Sequence, residues 1–303
     1  MIKLDTMIER INALKKEKNA MIIAHLYQKA EVQDIADFVG DSFELSKKAK
    51  ENDAETIVFC GVHFMAESAK ILSPHKKVLL PRSDAGCPMA DMVSEKEVKL
   101  LREKYPDAAI VCYVNSSAEV KALSDICCTS SNAVKVVESL PHKQIVFIPD
   151  ENLGNYVAKQ VKDKEIIPFK GYCITHKLVT REEVIRIKNE FPEAELLVHP
   201  ECTEEVLGEA DFAGSTAQII NYVKHSNKDT FIIGTEEGIL HKLHNENPGK
   251  TFYLASPKLI CMNMKKTSLE AVLDALENET TEIVLEDEVR ERAYLSLNRM
   301  LEV

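Results

Sequence analysis

The chain has 303 residues, 45% of them hydrophobic and 29% charged, with a formal net charge of −11 at pH 7. That is the composition of a folded globular protein; long disorder is excluded, and with no basic patch so is a nucleic-acid surface. No apolar run reaches the roughly 18 residues a membrane span needs, and the charged opening MIKLDTMIERINALKKEK is no secretory signal, so no membrane association and a cytoplasmic location are expected.

Taken in order, Leu4, Met7, Ile8, Ile11 and Leu14 recur with helical spacing, which predicts an amphipathic helix over residues 3–18. Short apolar runs then alternate with helical segments. Strands are expected at 21–25, near Phe38, at 56–60 and at 77–81, with helices starting at Glu31, Ser42 and Phe64; a loop holding Cys87 and a helix over 94–104 follow. The pattern restarts after Pro106, with apolar runs at 110–114, 126–130, 144–149 and 165–169. It restarts again after Pro192, with runs at 196–199, 212–216, 231–235 and 251–254. From Thr267 the chain closes in helical segments around a strand-like run at 282–285. Strand alternating with helix implies parallel sheets covered by helices on both faces.

The restarts are copies of one another. Residues 22–42 and 110–130 align without gaps at a shift of 88 with six identities in 21, and residues 196–216 share seven of 21 with the first copy. All three keep Glu31/Glu119/Glu205, Val32/Val120/Val206 and Asp37/Asp125/Asp211. The fold class read from this is α/β: three pseudo-threefold-related αβα domains, each with a parallel sheet of about four strands, around a central active site. The expected boundaries are 20–106, 107–192 and 193–265, with terminal helical segments 1–19 and 266–303 packing on the domains.

The register extends to cysteine. Cys87 lies 62 residues after His25, Cys173 lies 60 after Tyr113 and Cys261 lies 62 after His199, and none of the other five cysteines has such equivalents. Three thiols brought together by pseudo-threefold symmetry would suit a cubane iron–sulfur cluster with one iron left open. A zinc site completed by His176 in the pattern C-x-x-H, or three thiols without metal, remain alternatives. Cys60, Cys112, Cys127 and Cys128 fall in apolar runs and read as core; Cys202 follows Glu201.

At the end of the first strand the copies carry His25, Tyr113 and His199, and two residues later Tyr27, Asn115 and Glu201. Glu201, after a buried strand, is the acid–base candidate, with a raised pKa expected from burial. His25 and His199 can donate to an anion or assist proton transfer. Ser42, Ser130 and Thr216 stand where a strand gives way to a helix, as ordinary N-caps or as part of an anion site at three helix N-termini. Six others, His63, His75, His142, His225, His241 and His244, read as surface or packing residues.

With AHLYQ, GDS, FMAE, GCPMA, YVNSSAE, TSSNA, HPEC, GST and CMNMKK present in order, the chain resembles the quinolinate synthase family over nearly its whole length. The resemblance implies that Cys87, Cys173 and Cys261 hold a [4Fe–4S] cluster whose fourth iron is an open Lewis acid, and that the protein is oxygen-sensitive. It implies a transferase that condenses iminoaspartate with dihydroxyacetone phosphate to quinolinate in NAD biosynthesis, in possible contact with the enzyme that supplies iminoaspartate. By motif it makes Glu201, His25, Tyr27 and His199 the catalytic set. Ser42, Tyr113, Asn115, Ser130, Ser215 and Thr216 become the substrate shell, bordered by Phe64 and Met65. Two positions depart from the pattern: Leu26 where asparagine is expected, and Tyr172 where histidine is common. Two other classes stay open on the residues alone: a different cluster-dependent hydro-lyase, and a non-enzymatic iron or redox sensor.

Overall fold

The computed structural model describes residues 4–303, so residues 1–3 of the expected terminal segment 1–19 lie outside it. Twelve strands form three sheets among the described residues. The first contains β1 (Ala20–His25), β2 (Phe38–Gly40), β3 (Thr56–Cys60) and β4 (Lys77–Leu79). The second contains β5 (Ala109–Tyr113), β6 (Ile126–Cys128), β7 (Gln144–Ile148) and β8 (Glu165–Pro168), and the third β9 (Glu195–Val198), β10 (Phe212–Ala213), β11 (Thr230–Gly234) and β12 (Thr251–Leu254). All three are parallel, and the strand orders β2-β1-β3-β4, β6-β5-β7-β8 and β10-β9-β11-β12 are the same. The three-copy α/β architecture expected from the sequence is the one present.

The inner strands are largely apolar, as suits sheets with helices on both faces; Ile22, Ile23 and Ala24 of β1 and every residue of β5 are buried. The repeated aspartates have a structural role. Asp37, Asp125 and Asp211 each accept from the backbone N–H at the start of the first strand (Ile22, Ile110 and Leu196, at 2.8, 2.7 and 2.8 Å), while their own N–H groups donate to the carbonyls of those same residues. This two-point clamp sets the register of the second strand on the first. The repeated valines, Val32, Val120 and Val206, are fully buried beneath it.

The units do not have separate cores. One cluster joins Ile23 and Ile57 of the first sheet to Val111 and Phe147 of the second and to Ala293 and Leu297 of the last helix (Asp287–Glu302). Another packs Leu26 against Leu197 and Ile219, so this departure from the family pattern serves as an apolar contact between the first and third units. The helix Leu269–Asn278 packs on the opening helix Leu4–Glu17 through Leu273 and Leu276 beside Ile11 and Leu14. The run at 282–285 does not form a strand of its own. It makes an isolated antiparallel bridge, Glu282 to Leu79, at the edge of the first sheet.

Candidate active site

In a sheet ordered 2-1-3-4 the chain leaves the first and third strands in opposite directions and opens a crevice at their carboxyl ends. His25 and Tyr113 end β1 and β5, and His199 follows β9, so all three copies aim their polar residues at such a crevice. The crevices share one cavity of about 220 Å³. Of the residues expected to form the site, all but Ser215 line it, and so do Asp41, His176 and Glu236.

The two histidines are fixed in the same way. His25 Nδ1 accepts the Tyr27 backbone N–H at 3.1 Å, and His199 Nδ1 accepts that of Glu201 at 3.2 Å. With Nδ1 engaged, the ring proton of each neutral imidazole sits on Nε2; that of His199 reaches Ser130 Oγ at 3.1 Å. Burial pushes both down, His25 to about 3 and His199 to about 4, so at neutral pH they are uncharged N–H donors.

Glu201 is buried and held on three sides. Tyr113 Oη donates to Oε1 at 2.6 Å, Asn115 Nδ2 approaches the same oxygen at 3.4 Å, and His176 Nδ1 meets Oε2 at 2.8 Å. Burial pushes the carboxyl up, but His176, His199 and the bonds from His176 and Tyr113 outweigh it, and the net direction is down. The raised pKa expected from the sequence is therefore reversed: a buried carboxylate between an imidazole and a phenol is an ionised base. Burial, reinforced by the Glu201 charge, raises Tyr113 well above the ordinary phenol range and keeps it a donor.

His176 is the residue that the sequence reading left outside the catalytic set. Its Nδ1 lies 3.2 Å from Cys173 Sγ as well as against Glu201, and its Nε2 is 3.0 Å from Thr235 Oγ1. Thr235 in turn is 2.6 Å from Tyr27 Oη, which accepts from Thr216 Oγ1 at 3.1 Å. A continuous set of hydrogen bonds thus runs from Thr216 at the cavity wall through Tyr27, Thr235 and His176 to Glu201. The pattern C-x-x-H was the available signal for His176; Thr235 lies outside the repeated 21 residues and had none. Asn115 Oδ1 is buried without a partner, an acceptor left over for a ligand N–H.

The opposite wall is built at two helix starts and by Ser130, which stands ahead of the helix Ala133–Ser139 and, contrary to the expectation from the sequence, does not cap it. Capping falls one residue before the expected Ser42 and Thr216: Asp41 accepts from Phe43 and Glu44 N–H at 3.0 Å, and Ser215 accepts from Gln218 N–H at 3.2 Å. Both lie in capping boxes, which leaves the Ser42 and Thr216 side chains to line the cavity. Ser215 is fully buried behind this wall. There Ser131 Oγ bonds to Asp41 Oδ2 at 2.5 Å and Ser215 Oγ at 2.8 Å, tying the three units in one knot. The Asp41 carboxylate makes this wall less of an anion site than three bare N-termini would be. Phe64 and Met65, on the helix His63–Leu72, supply the apolar side.

Cys87, Cys173 and Cys261 are half-buried, unpaired, and face the same cavity. Each is followed by a single 3₁₀ turn, Ala90–Met92, His176–Leu178 and Met264–Lys266, and each thiol accepts the backbone N–H three residues on. Burial pushes all three up, Cys87 to about 12. Without a cation they would be thiols; a metal's charge would deprotonate them. Three equivalent soft donors with N–H groups aimed at the sulfurs fit an iron–sulfur cluster with one iron unligated. The zinc alternative is less well served, because the His176 nitrogen nearest Cys173 is taken up by Glu201. Cys173, His176 and Glu201 nonetheless hold their donor atoms within 4.8 Å of one another and could take a single ion. Tyr172, the other departure from the family pattern, lies under Lys177 Nζ at 3.4 Å from its ring centre.

A carboxylate, neutral imidazoles and phenols suited to proton transfer are gathered at the switch points of three parallel sheets, with three thiols that could hold a metal beside them. The chain belongs to the family described as Quinolinate synthetase A protein, which it matches over residues 9–302. It is 60% identical over 297 residues to the quinolinate synthase of Alkaliphilus metalliredigens, covering 98% of each chain. The quinolinate synthases of Caldicellulosiruptor saccharolyticus and Clostridium kluyveri are 58% and 54% identical, over 97% and 98% of each chain respectively. No helix among the described residues is long and apolar enough to cross a membrane.

Proposed function

We propose that this chain condenses iminoaspartate with dihydroxyacetone phosphate to quinolinate, releasing phosphate and two waters, in NAD biosynthesis. The observation that carries this reading is Glu201. One buried carboxylate touches both Tyr113 and His176 and faces the same cavity as all three cysteines. The family membership supports this reaction, and the geometry offers groups suited to it.

Cys87, Cys173 and Cys261 would hold the [4Fe–4S] cluster. When bound, such a cluster supplies a Lewis acid at the iron that no cysteine ligates. The chain's own residues handle protons and position. Glu201, ionised, takes a carbon-bound proton during tautomerisation and returns it to another atom of the same intermediate, while Tyr113 Oη–H and His176 hold the carboxylate in place. His25 and His199 donate Nε2–H to substrate oxygens without adding a full charge. The free Asn115 Oδ1 accepts the substrate's N–H, and Ser42, Ser130 and Thr216 bind carboxylate or phosphate oxygens. Phe64 and Met65 exclude water from the ring as it closes. Ser215 belongs to this shell only indirectly, by holding the wall. The boundaries 20–106, 107–192 and 193–265, the cytoplasmic location, oxygen sensitivity and contact with an iminoaspartate-producing enzyme are parts of the same proposal.

The test is an anaerobic assay of the reconstituted protein with iron and sulfide quantified. Quinolinate formed from the two substrates with about four irons per chain, and lost in Cys87→Ala, is the expected result. A full cluster without quinolinate would turn the reading toward another hydro-lyase or a sensor.

A further inference from the structure

Two residues past the third strand, the three units carry Val62, Asp150 and Glu236. The two acids are completely buried and neither touches Glu201. They do the same thing. Asp150 Oδ1 accepts from Leu153 N–H at 2.6 Å at the start of the helix Glu151–Gln160, and its Oδ2 accepts from the backbone N–H of Cys173 at 3.2 Å. Glu236 Oε2 accepts from Gly238 N–H at 2.7 Å, and its Oε1 accepts from the backbone N–H of Cys261 at 2.9 Å. One oxygen holds the body of the unit and the other holds the cysteine's own peptide.

The first unit has no such strut. Val62 offers no acceptor, and the helix His63–Leu72 starts without a side-chain cap. A backbone tie common to all three copies remains: His63 N–H to Ala85 O, Glu151 N–H to Gly171 O and Glu237 N–H to Leu259 O, at 2.8 to 2.9 Å. The room around the loops differs in the same sense. A Cβ added to Gly171 would meet Pro149 O at 2.4 Å, whereas one added to Gly86, beside Cys87, would meet nothing within 4 Å. Lys265 reinforces the third unit, with Nζ 2.9 Å from Glu236 Oε1 and 2.8 Å from Tyr27 O. Burying a carboxylate is expensive unless its bonds are needed, and here the bonds go to two of the three candidate ligands.

We propose that Asp150 and Glu236 are positioning residues that hold Cys173 and Cys261 ready for metal, while Cys87 is the adjustable third ligand. This rests on the reading of the three cysteines as cluster ligands. Groups around a metal's ligands set ligand orientation and metal retention, and losing one typically changes affinity about 10–100-fold.

The experiment uses the full chain, reconstituted anaerobically, as wild type, Asp150→Asn, Glu236→Gln and Glu67→Gln. Glu67 is a buried carboxylate of the first unit that bonds the Ala118 N–H and no cysteine, so it controls for general destabilisation. Iron and sulfide content tests the underlying reading: wild type must take up about four irons, or that reading fails before the proposal is reached. Iron release to a chelator and the electron paramagnetic resonance spectrum of the reduced cluster test the proposal itself. Asp150→Asn and Glu236→Gln should release iron about tenfold faster or more and shift the spectrum, with Glu67→Gln unchanged in both. Release at the wild-type rate in both struts' variants, or equal acceleration in Glu67→Gln, overturns it. If either strut variant fails to fold, Asp150→Glu and Glu236→Asp replace it, keeping the carboxylate while moving it by one methylene; an unaltered spectrum and release rate in these would likewise overturn the proposal.

Discussion

The first and third units place the same imidazole on the same bond, His25 Nδ1 to Tyr27 N–H and His199 Nδ1 to Glu201 N–H, yet the residue that follows is a phenol in one and a carboxylate in the other. The repeat fixes where a side chain will stand and leaves open what it is. Backbone positions, register clamps and histidine tautomers are held in common. Acid–base chemistry is written at the positions where the copies differ.

Four measurements would break or sharpen this contrast. The largest effect belongs to the residue with no chemical equivalent. Glu201→Gln should lower turnover by about 10²–10⁴-fold with iron content intact, measured by anaerobic quinolinate formation. Activity near wild type would remove Glu201 as the base.

Next come the paired histidines, which should behave alike. The folded pKa of His199 is depressed to about 4 and that of His25 to about 3, so between pH 6.5 and these values the unfolded chain binds protons that the folded chain refuses. The stability they contribute is full above pH 6.5 and falls as pH drops toward 4, by on the order of 2–3 kcal/mol for His199. Urea midpoints from pH 7 to 4.5 should show this slope, flattened in His199→Gln and in His25→Gln. A slope unchanged in both would show the histidines to be charged in the fold.

Third, Tyr27→Phe interrupts the hydrogen bonds between Thr216 and His176. A loss of about tenfold in turnover with little change in KM is expected, since one hydrogen-bonding link is removed and the cavity shape is kept. Smallest are the shared clamps: Asp37→Asn, Asp125→Asn and Asp211→Asn should each destabilise by about 1 kcal/mol and by similar amounts. Three unequal values would mean that the copies have diverged in scaffold as well as chemistry.

Much of this was legible in the residues. Glu31, Val32 and Asp37 and their counterparts announced three parallel sheets, and equal offsets to Cys87, Cys173 and Cys261 announced a common centre. What escaped were groups whose meaning depends on distance across units. Glu201 was expected to have a raised pKa because burial is visible in an apolar strand; the His176 ring at 2.8 Å, from another unit, is not. Asp150 and Glu236 are 86 residues apart, but one is an aspartate, the other a glutamate, and the first copy has Val62 there, so no identity marks them as equivalent. The motif GST puts Ser215 in the substrate shell along with Thr216; one residue of helical turn puts it behind the wall instead. The strand-like run at 282–285 lacked a partner long enough to make it more than a bridge.

The knot of Asp41, Ser131 and Ser215 has a consequence for how the molecule comes apart. Each unit contributes one member, so peeling away any unit breaks its bonds to both of the others and uncovers the apolar clusters that the units share. A chain built from three look-alike pieces therefore melts as a single cooperative body, with one transition in calorimetry, and an isolated third of it will not persist as a miniature of the whole.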